Sequence, residues 1–279
     1  MTHYVVYDVF TDTAFGGNPL AVFPDATGLD PDKLQAIARE FNFSETTFVY
    51  PPVDPSHTAK VRIFTPTMEL QFAGHPIIGT AFALYELGGP ADMTFDLGVG
   101  PISCRIADGL ASFQTKVALE TIASPAIALV ARALSLPVTA IKTETHAPVQ
   151  ASLGLPFVIT ELADITALRA CSPHIDAMKE GAALHPAGLD FAQFTYVRDG
   201  QKINARMFAP LDNIPEDPAT GSACATLTAL LAQFGIGDRF HIAQGVEMGR
   251  PSTIITEAMN SGVTVSGQAV QTMKGTFLA

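Results

Sequence analysis

Arg62-Ile63-Phe64-Thr65-Pro66, followed by Gly74-His75-Pro76 and Gly79-Thr80-Ala81, returns later as Arg206-Met207-Phe208-Ala209-Pro210, followed by Glu216-Asp217-Pro218 and Gly221-Ser222-Ala223. The Arg lines are displaced by 144 residues, and His75 and Asp217 by 142. A third echo, Gly17-Asn18-Pro19-Leu20-Ala21-Val22 against Gly154-Leu155-Pro156-Phe157-Val158-Ile159, is displaced by 137. Offsets that agree within a few loop residues mean a duplicated unit. Solenoid repeats have periods of about 20 to 50 residues, whereas a unit of roughly 140 is a whole small domain. The pattern predicts two similar lobes. His75 and Asp217 each precede the Gly of a Gly-Thr-Ala or Gly-Ser-Ala triplet by four residues, so the spacing predicts that they hold equivalent places, with a site at the cleft between the halves.

The bulk numbers narrow the function. Of 279 residues, 48% are apolar and 15% charged, which is enough to bury one or two substantial cores. A net charge of -11 repels phosphate backbones and anionic membrane surfaces, so nucleic acid and membranes are poor partners and a small molecule is the better expectation. If that molecule is anionic, helix N-termini are the obvious source of local positive potential. Cys104, Cys171 and Cys224 are widely separated and form neither a disulfide ladder nor a paired metal motif, which implies a reducing compartment. Residues 1–10 lack a basic start and a long apolar stretch and read as a strand. No apolar run approaches the roughly 20 residues of a spanning helix, and the expectation is a cytoplasmic protein.

Along the chain, Asp30-Pro31 predicts a helix start, with Leu34, Ile37, Ala38 and Phe41 at helical spacing. Residues 43–50 are rich in β-branched and aromatic side chains and predict a strand that places Glu45 on one face with Phe43, Thr47 and Val49. Lys60 to Thr65 predicts a second strand. Pro76, Ile77, Ile78, Ala81, Phe82 and Tyr85 predict a helix apolar nearly all round, which belongs inside a wrap of strands. Residues 93–116 predict a hairpin turning at Asp108-Gly109. A connecting helix is expected between Ser124-Pro125 and Pro137. The cycle then restarts: a strand at 151–160, a helix capped at Asp164, strands around 191–208, a helix from Asp217-Pro218 to Gly235, and terminal strands. The expectation is an α+β fold with an N-terminal lobe over 1–118, joined by 268–279 if the last residues cross back, and a C-terminal lobe over 119–267.

Three side chains are the catalytic candidates. Glu45, a carboxylate on an apolar strand face, is costly to ionise there, so its pKa should rise and make it a proton carrier near neutral pH; a solvated Glu at a strand end is the alternative. His75 stands where an N-cap would be, although His is not a favoured cap, and nearby helix N–H groups would keep its imidazole neutral. A structural His filling the cap is the plainer reading. Asp217 is an ordinary N-cap taken singly; paired with His75 across a cleft, it would bring together two helix starts in which Gly74 and Gly221 permit close backbone approach, a socket for a carboxylate or oxyanion. Thr220 and Ser222 could add hydroxyl donors. Asn18, in turn chemistry first, is a candidate to reach the cleft. Arg62 and Arg206 read as surface or inter-lobe salt-bridge partners outside the site. No P-loop, G-x-G-x-x-G or metal-spaced His pair is present.

These blocks carry a resemblance. Asp8-Val9-Phe10-Thr11 with Gly17-Asn18-Pro19-Leu20-Ala21-Val22, Ser44-Glu45-Thr46, Phe72-Ala73-Gly74-His75-Pro76 with Gly79-Thr80-Ala81, and Glu216-Asp217-Pro218-Ala219-Thr220-Gly221-Ser222-Ala223 stand in the order found in the phenazine biosynthesis PhzF-like isomerases, which the sequence resembles over nearly its whole length. These proteins are relatives in fold of diaminopimelate epimerase. The resemblance implies two pseudo-symmetric lobes, each a β-barrel-like roll around a central helix, a homodimer, and acid/base chemistry with no cofactor and no metal. It implies Glu45 as the proton-shuttling carboxylate and His75, Asp217 and Ser222 around a small carboxylate substrate, with Gly74 and Gly221 giving backbone contacts; Ser44 falls in the Glu45 block.

Ile77 departs from the family, which often has Thr there, so one hydroxyl near the socket is missing. The epimerase relatives place Cys at the two helix starts that hold His75 and Asp217 here, and Cys224 is seven residues past Asp217, which disfavours two-thiol racemisation. The preferred expectation is an isomerase that moves a proton within an unsaturated carboxylic acid. The alternatives are an epimerase or racemase of a small amino or hydroxy acid, with His75 or Asp217 as second base, and a non-catalytic small-anion binder.

Overall fold

The computed structural model describes residues 1–278, which form two compact units. The first comprises Met1–Gln114 with the C-terminal segment from Val265, and the second Thr115–Thr264.

In the first unit, Thr2–Val9 pairs antiparallel with Asn18–Phe23, which runs parallel to Glu45–Tyr50. Glu45–Tyr50 pairs antiparallel with Ala59–Phe64, which meets the short strand Glu69–Leu70 and then runs parallel to Asp92–Leu97. Gly100–Ala107 and Leu110–Thr115 complete a meander. Its tight turn has Asp108 and Gly109 both at positive φ, as a two-residue hairpin of right-handed twist requires. The predicted hairpin over 93–116 is therefore three strands. The C-terminal strand Ala269–Phe277 pairs antiparallel with Thr2–Val9.

These strands surround the helix Gly74–Glu86, in which every residue from Gly74 through Ala83 is buried. A helix buried on all faces needs apolar residues all round, and its few polar groups need partners. Thr80 finds one in Thr47, hydroxyl to hydroxyl at 3.0 Å. Gly79 lies where a Cβ would collide with Leu20 and Val9, so the smallest residue sets how close helix and sheet can come. A second cluster, Phe23, Phe48, Phe64 and Leu34 with their neighbours, seats the outer helix Leu34–Phe41. Asp30 caps a short 3-10 turn, Pro31–Lys33, ahead of that helix.

The second unit repeats the scheme. Val149–Ser152 pairs antiparallel with Pro156–Glu161, which runs parallel to Gln193–Asp199. That strand pairs antiparallel with Lys202–Ala209, which meets Ile214–Asp217 and then runs parallel to Arg239–Gln244. Ser252–Met259 follows antiparallel. The central helix is Gly221–Gln233, thirteen residues like its counterpart. Outer helices Ile127–Ala133, Ile165–Ala170 and Ile175–Leu184 cover one core cluster. Asp164 caps the second through Ala167 N–H, as its position predicts; the third was not foreseen.

The pairings align the copies residue by residue. Thr46 faces Phe64 as Gln193 faces Phe208, and Ile63 faces Leu70 as Met207 faces Asp217. Glu45 therefore corresponds to Ala192, Leu70 to Asp217, and Gly74-His75 to Gly221-Ser222. This corrects the expected equivalence of His75 and Asp217: the true counterpart of His75 is Ser222. The matched Arg residues repeat the same ion pair and ring contact. Arg62 makes two bonds to Glu69, at 2.7 and 2.8 Å, and lies over Phe64. Arg206 makes two to Glu216, at 2.8 and 2.9 Å, and lies over Phe208. Both are salt bridges within their own unit.

Candidate active site

The strand holding Glu45 begins at that residue, not at Phe43, and its inward face meets the central helix at two points. Thr47 bonds to Thr80, and one strand position earlier on that face Glu45 Oε2 approaches His75 Nε2 at 3.4 Å. His75 is the second residue of the helix, not its N-cap; Ala73 caps the helix in extended conformation without a side-chain bond. Glu45 keeps 15% of its side chain exposed and His75 only 5%. Burial pushes the imidazole down to about 3, because the charged ring would lose its hydration. With the ring neutral, the contact is not an ion pair. The sequence reading expected a neutral imidazole from helix N–H groups; desolvation is the cause here.

Other predicted residues of this unit take definite places. Asn18 is wholly buried at the start of Asn18–Phe23, opposite Val9. Gly17 before it has φ +56, and a Cβ there would fall against the Val9 carbonyl oxygen, so glycine is required. Ser44 is half-buried beside Glu45, and Gly74 opens the helix.

In the second unit Asp217 is the last residue of Ile214–Asp217, and the N-cap is Thr220. The helix starts three residues later than expected because Pro218 and Ala219 complete a loop. Asp217 Oδ2 accepts a short hydrogen bond from the Thr220 hydroxyl at 2.5 Å. Gly221 opens the helix and Ser222, half-buried, follows. Neither central helix draws a cap bond from its N-cap side chain.

Sequence reasoning missed Gln244, whose buried side-chain amide binds the Asp217 carbonyl and both the hydroxyl and N–H of Thr220. Its signal was a glutamine on the inward face of a strand that otherwise alternates Phe240 and Ile242 inward. Cys224 lies against that glutamine, and burial pushes its thiol well above the ordinary range, so it is no nucleophile. Among the described residues no three His, Cys, Asp or Glu side chains come close enough to share a metal ion. No helix of the described residues is long and apolar enough to cross a membrane.

The arrangement in the first unit can carry a proton: a carboxyl group with limited solvent contact touches an uncharged ring able to donate or accept. Comparison with known proteins agrees with that chemistry. Residues 7–275 match the family described as phenazine biosynthesis-like protein. An uncharacterized isomerase of Mesorhizobium japonicum is 37% identical, with 98% of this chain and 97% of the relative covered. The trans-2,3-dihydro-3-hydroxyanthranilate isomerase of Pseudomonas chlororaphis is 35% identical, with both chains covered in full. In structure, a Bacillus anthracis phenazine biosynthesis protein of the PhzF family shares the fold with a TM-score of 0.85 at 22% identity, covering 100% of this chain and 99% of that one. The duplicated α+β units, the Glu45–His75 contact and full-length similarity to named isomerases lead to one assignment: the chain belongs to the phenazine biosynthesis-like family of isomerases.

Proposed function

We propose that this protein moves a proton within a small unsaturated carboxylic acid, with Glu45 as the only proton carrier and no cofactor. The Glu45–His75 contact carries the reading. A fixed cation in place of His75 would hold the carboxylate ionised. A neutral imidazole can donate an N–H to a carboxylate or offer a lone pair to a carboxylic acid, so it accommodates both states that a shuttling Glu45 must pass through.

The step is a proton transfer in two halves. The Glu45 carboxylate takes a proton from an activated sp³ carbon, and the C–H electron pair enters the conjugated system. The resulting carboxylic acid then returns the proton to the carbon at the far end of that system, so the product has the atoms of the substrate. The substrate carboxylate is proposed to lie at the first-turn N–H groups around Gly74, with Asn18 and Ser44 binding other polar groups; in the second unit Asp217, Thr220, Gly221 and Ser222 are proposed as further substrate-binding residues. Proton transfer of this kind contributes about 10²- to 10⁴-fold, and positioning supplies the rest.

The duplication favours one carrier. Glu45 corresponds to Ala192 in the second unit, so that strand position holds a single acid. His75 is a poor second base for an epimerase: a ring held to about 3 is weakly basic, and a group touching Glu45 cannot stand on the opposite face of a carbon. The first substrate to try is trans-2,3-dihydro-3-hydroxyanthranilate, named for the Pseudomonas chlororaphis relative; Ile77 is the residue expected to shift preference among such acids. The protein is also proposed to work as a homodimer, which sedimentation equilibrium would test.

In D₂O the expected product carries one deuterium at the migrated position, because the Glu45 carboxyl keeps enough solvent contact to exchange the proton it has taken before it returns one. Glu45→Gln should lower kcat by at least about 100-fold and leave KM within a few-fold. An undiminished rate would remove Glu45 from the mechanism. Deuterium entry with inversion at one stereocentre and no double-bond shift would establish the epimerase instead, and tight binding with no exchange would establish a binder.

A further inference from the structure

Gln244 ends the strand Arg239–Gln244 and is wholly buried. Its Nε2 donates to the Asp217 carbonyl at 2.7 Å and to Thr220 Oγ1 at 2.9 Å, and its Oε1 accepts from Thr220 N–H at 3.1 Å. The amide can point only one way, because a carbonyl can only accept and a backbone N–H can only donate. Both N–H bonds of the amide are thereby used. Thr220 Oγ1, already receiving one of them, must send its single proton elsewhere, and it donates to Asp217 Oδ2. Donation runs in one direction, from Gln244 to Thr220 to Asp217.

The other copy of the fold shows what this relay is not for. The pairing of Ala59–Phe64 with Asp92–Leu97, against that of Lys202–Ala209 with Arg239–Gln244, aligns Leu97 with Gln244. Leu70 aligns with Asp217 and the helix cap Ala73 with Thr220. The polar trio is replaced as a set by leucine, alanine and leucine, yet the same thirteen-residue helix starts in the same place. Holding that helix does not require an amide, a hydroxyl and a carboxylate, and burying all three is costly unless each is bonded.

We propose that Gln244 is a positioning residue for the isomerisation: by committing the Thr220 hydroxyl to Asp217 Oδ2, it fixes the Asp217 carboxylate in orientation and as an acceptor. The inference rests on the reading that Asp217 binds substrate.

Two measurements test it, one independent of turnover. In proton NMR the Thr220 hydroxyl should give a slowly exchanging resonance with cross-peaks to the Gln244 side-chain amide. Thr220→Ser should retain it, and Gln244→Met should lose it while the remaining amide spectrum stays folded. With trans-2,3-dihydro-3-hydroxyanthranilate, Gln244→Met and Thr220→Val should each lower kcat/KM by at least about tenfold, chiefly through kcat. The double variant should be no worse than the poorer single, since both remove one relay; Thr220→Ser should stay within about threefold. A hydroxyl signal that persists in Gln244→Met, losses that multiply, or a Thr220→Ser variant as impaired as Thr220→Val would overturn the proposal. If Asp217→Asn is inactive while Gln244→Met is fully active, this inference alone fails. If Asp217→Asn is fully active, the role of Asp217 fails and takes the inference with it.

Discussion

Lowering the pH from 7.5 to 4.5 should weaken this fold by roughly 2 to 3 kcal/mol through His75 alone. The folded imidazole titrates at about 3 because it is buried, against 6.5 when hydrated. Between those values the unfolded chain takes up a proton that the folded protein refuses. The stability is therefore fully present above pH 6.5 and is lost as pH falls toward 3, at about 1.4 kcal/mol per pH unit for one proton. At pH 4.5 the unfolded ring lies two units below its midpoint, which gives the figure. Urea unfolding of the wild type and of His75→Asn and His75→Gln at the two pH values measures it. Each protein is compared with itself, so the intrinsic cost of the substitution drops out. His146, also pushed down by burial, contributes equally to all three. The wild type should lose roughly 2 to 3 kcal/mol more than either variant on acidification. Its His75 ring protons should not shift across that range. A His75 resonance titrating near 6.5, or equal losses in all three proteins, would refute the buried neutral ring and with it the account of how Glu45 is partnered.

Two further substitutions separate burial from sequence pattern. Arg206 is buried, with two bonds to Glu216 and three from one nitrogen to the carbonyls of Leu168, Arg169 and Cys171. Arg206→Lys, which cannot fill that fork, should cost about 3 kcal/mol in urea unfolding. Arg62→Lys, at the matching but more exposed position, should cost about 1 kcal/mol or less; equal costs would show that burial does not set the difference. Gly17→Ala should destabilise by at least about 1 to 3 kcal/mol, since φ +56 and the Val9 carbonyl both oppose a Cβ. A neutral result in thermal unfolding would mean that the turn before Asn18 rearranges freely.

The doubling of the fold was legible because Arg62 and Arg206 each carry an aromatic ring two residues on and a proline two residues beyond it; the glutamate that each binds shows only in the fold. That Glu45 shares the helix-facing side of its strand with Thr47 was legible in the period of two. The alignment of His75 with Asp217 was not. Two Gly-x-Ala triplets suggested it, but they do different work. Gly221 starts a helix, whereas Gly79 sits inside one and lets Leu20 and Val9 approach. Spacing alone does not distinguish a glycine kept for a helix start from one kept for clearance. Gln244 was hidden because its partners lie 24 and 27 residues earlier, on a loop whose course depends on the completed sheet.

The pairing of Ala269–Phe277 with Thr2–Val9 joins two strands that lie on either side of the whole second unit in sequence. On the ribosome, Thr2–Val9 is made before Thr115–Thr264, yet one of its sides stays open until all of Thr115–Thr264 and the strand Ala269–Phe277 have followed. The later half can close its own sheet while the earlier one still waits for a neighbour. The acid Glu45 therefore resides in the portion of the molecule that matures last, and clipping the final strand should strike that portion while leaving Thr115–Thr264 folded.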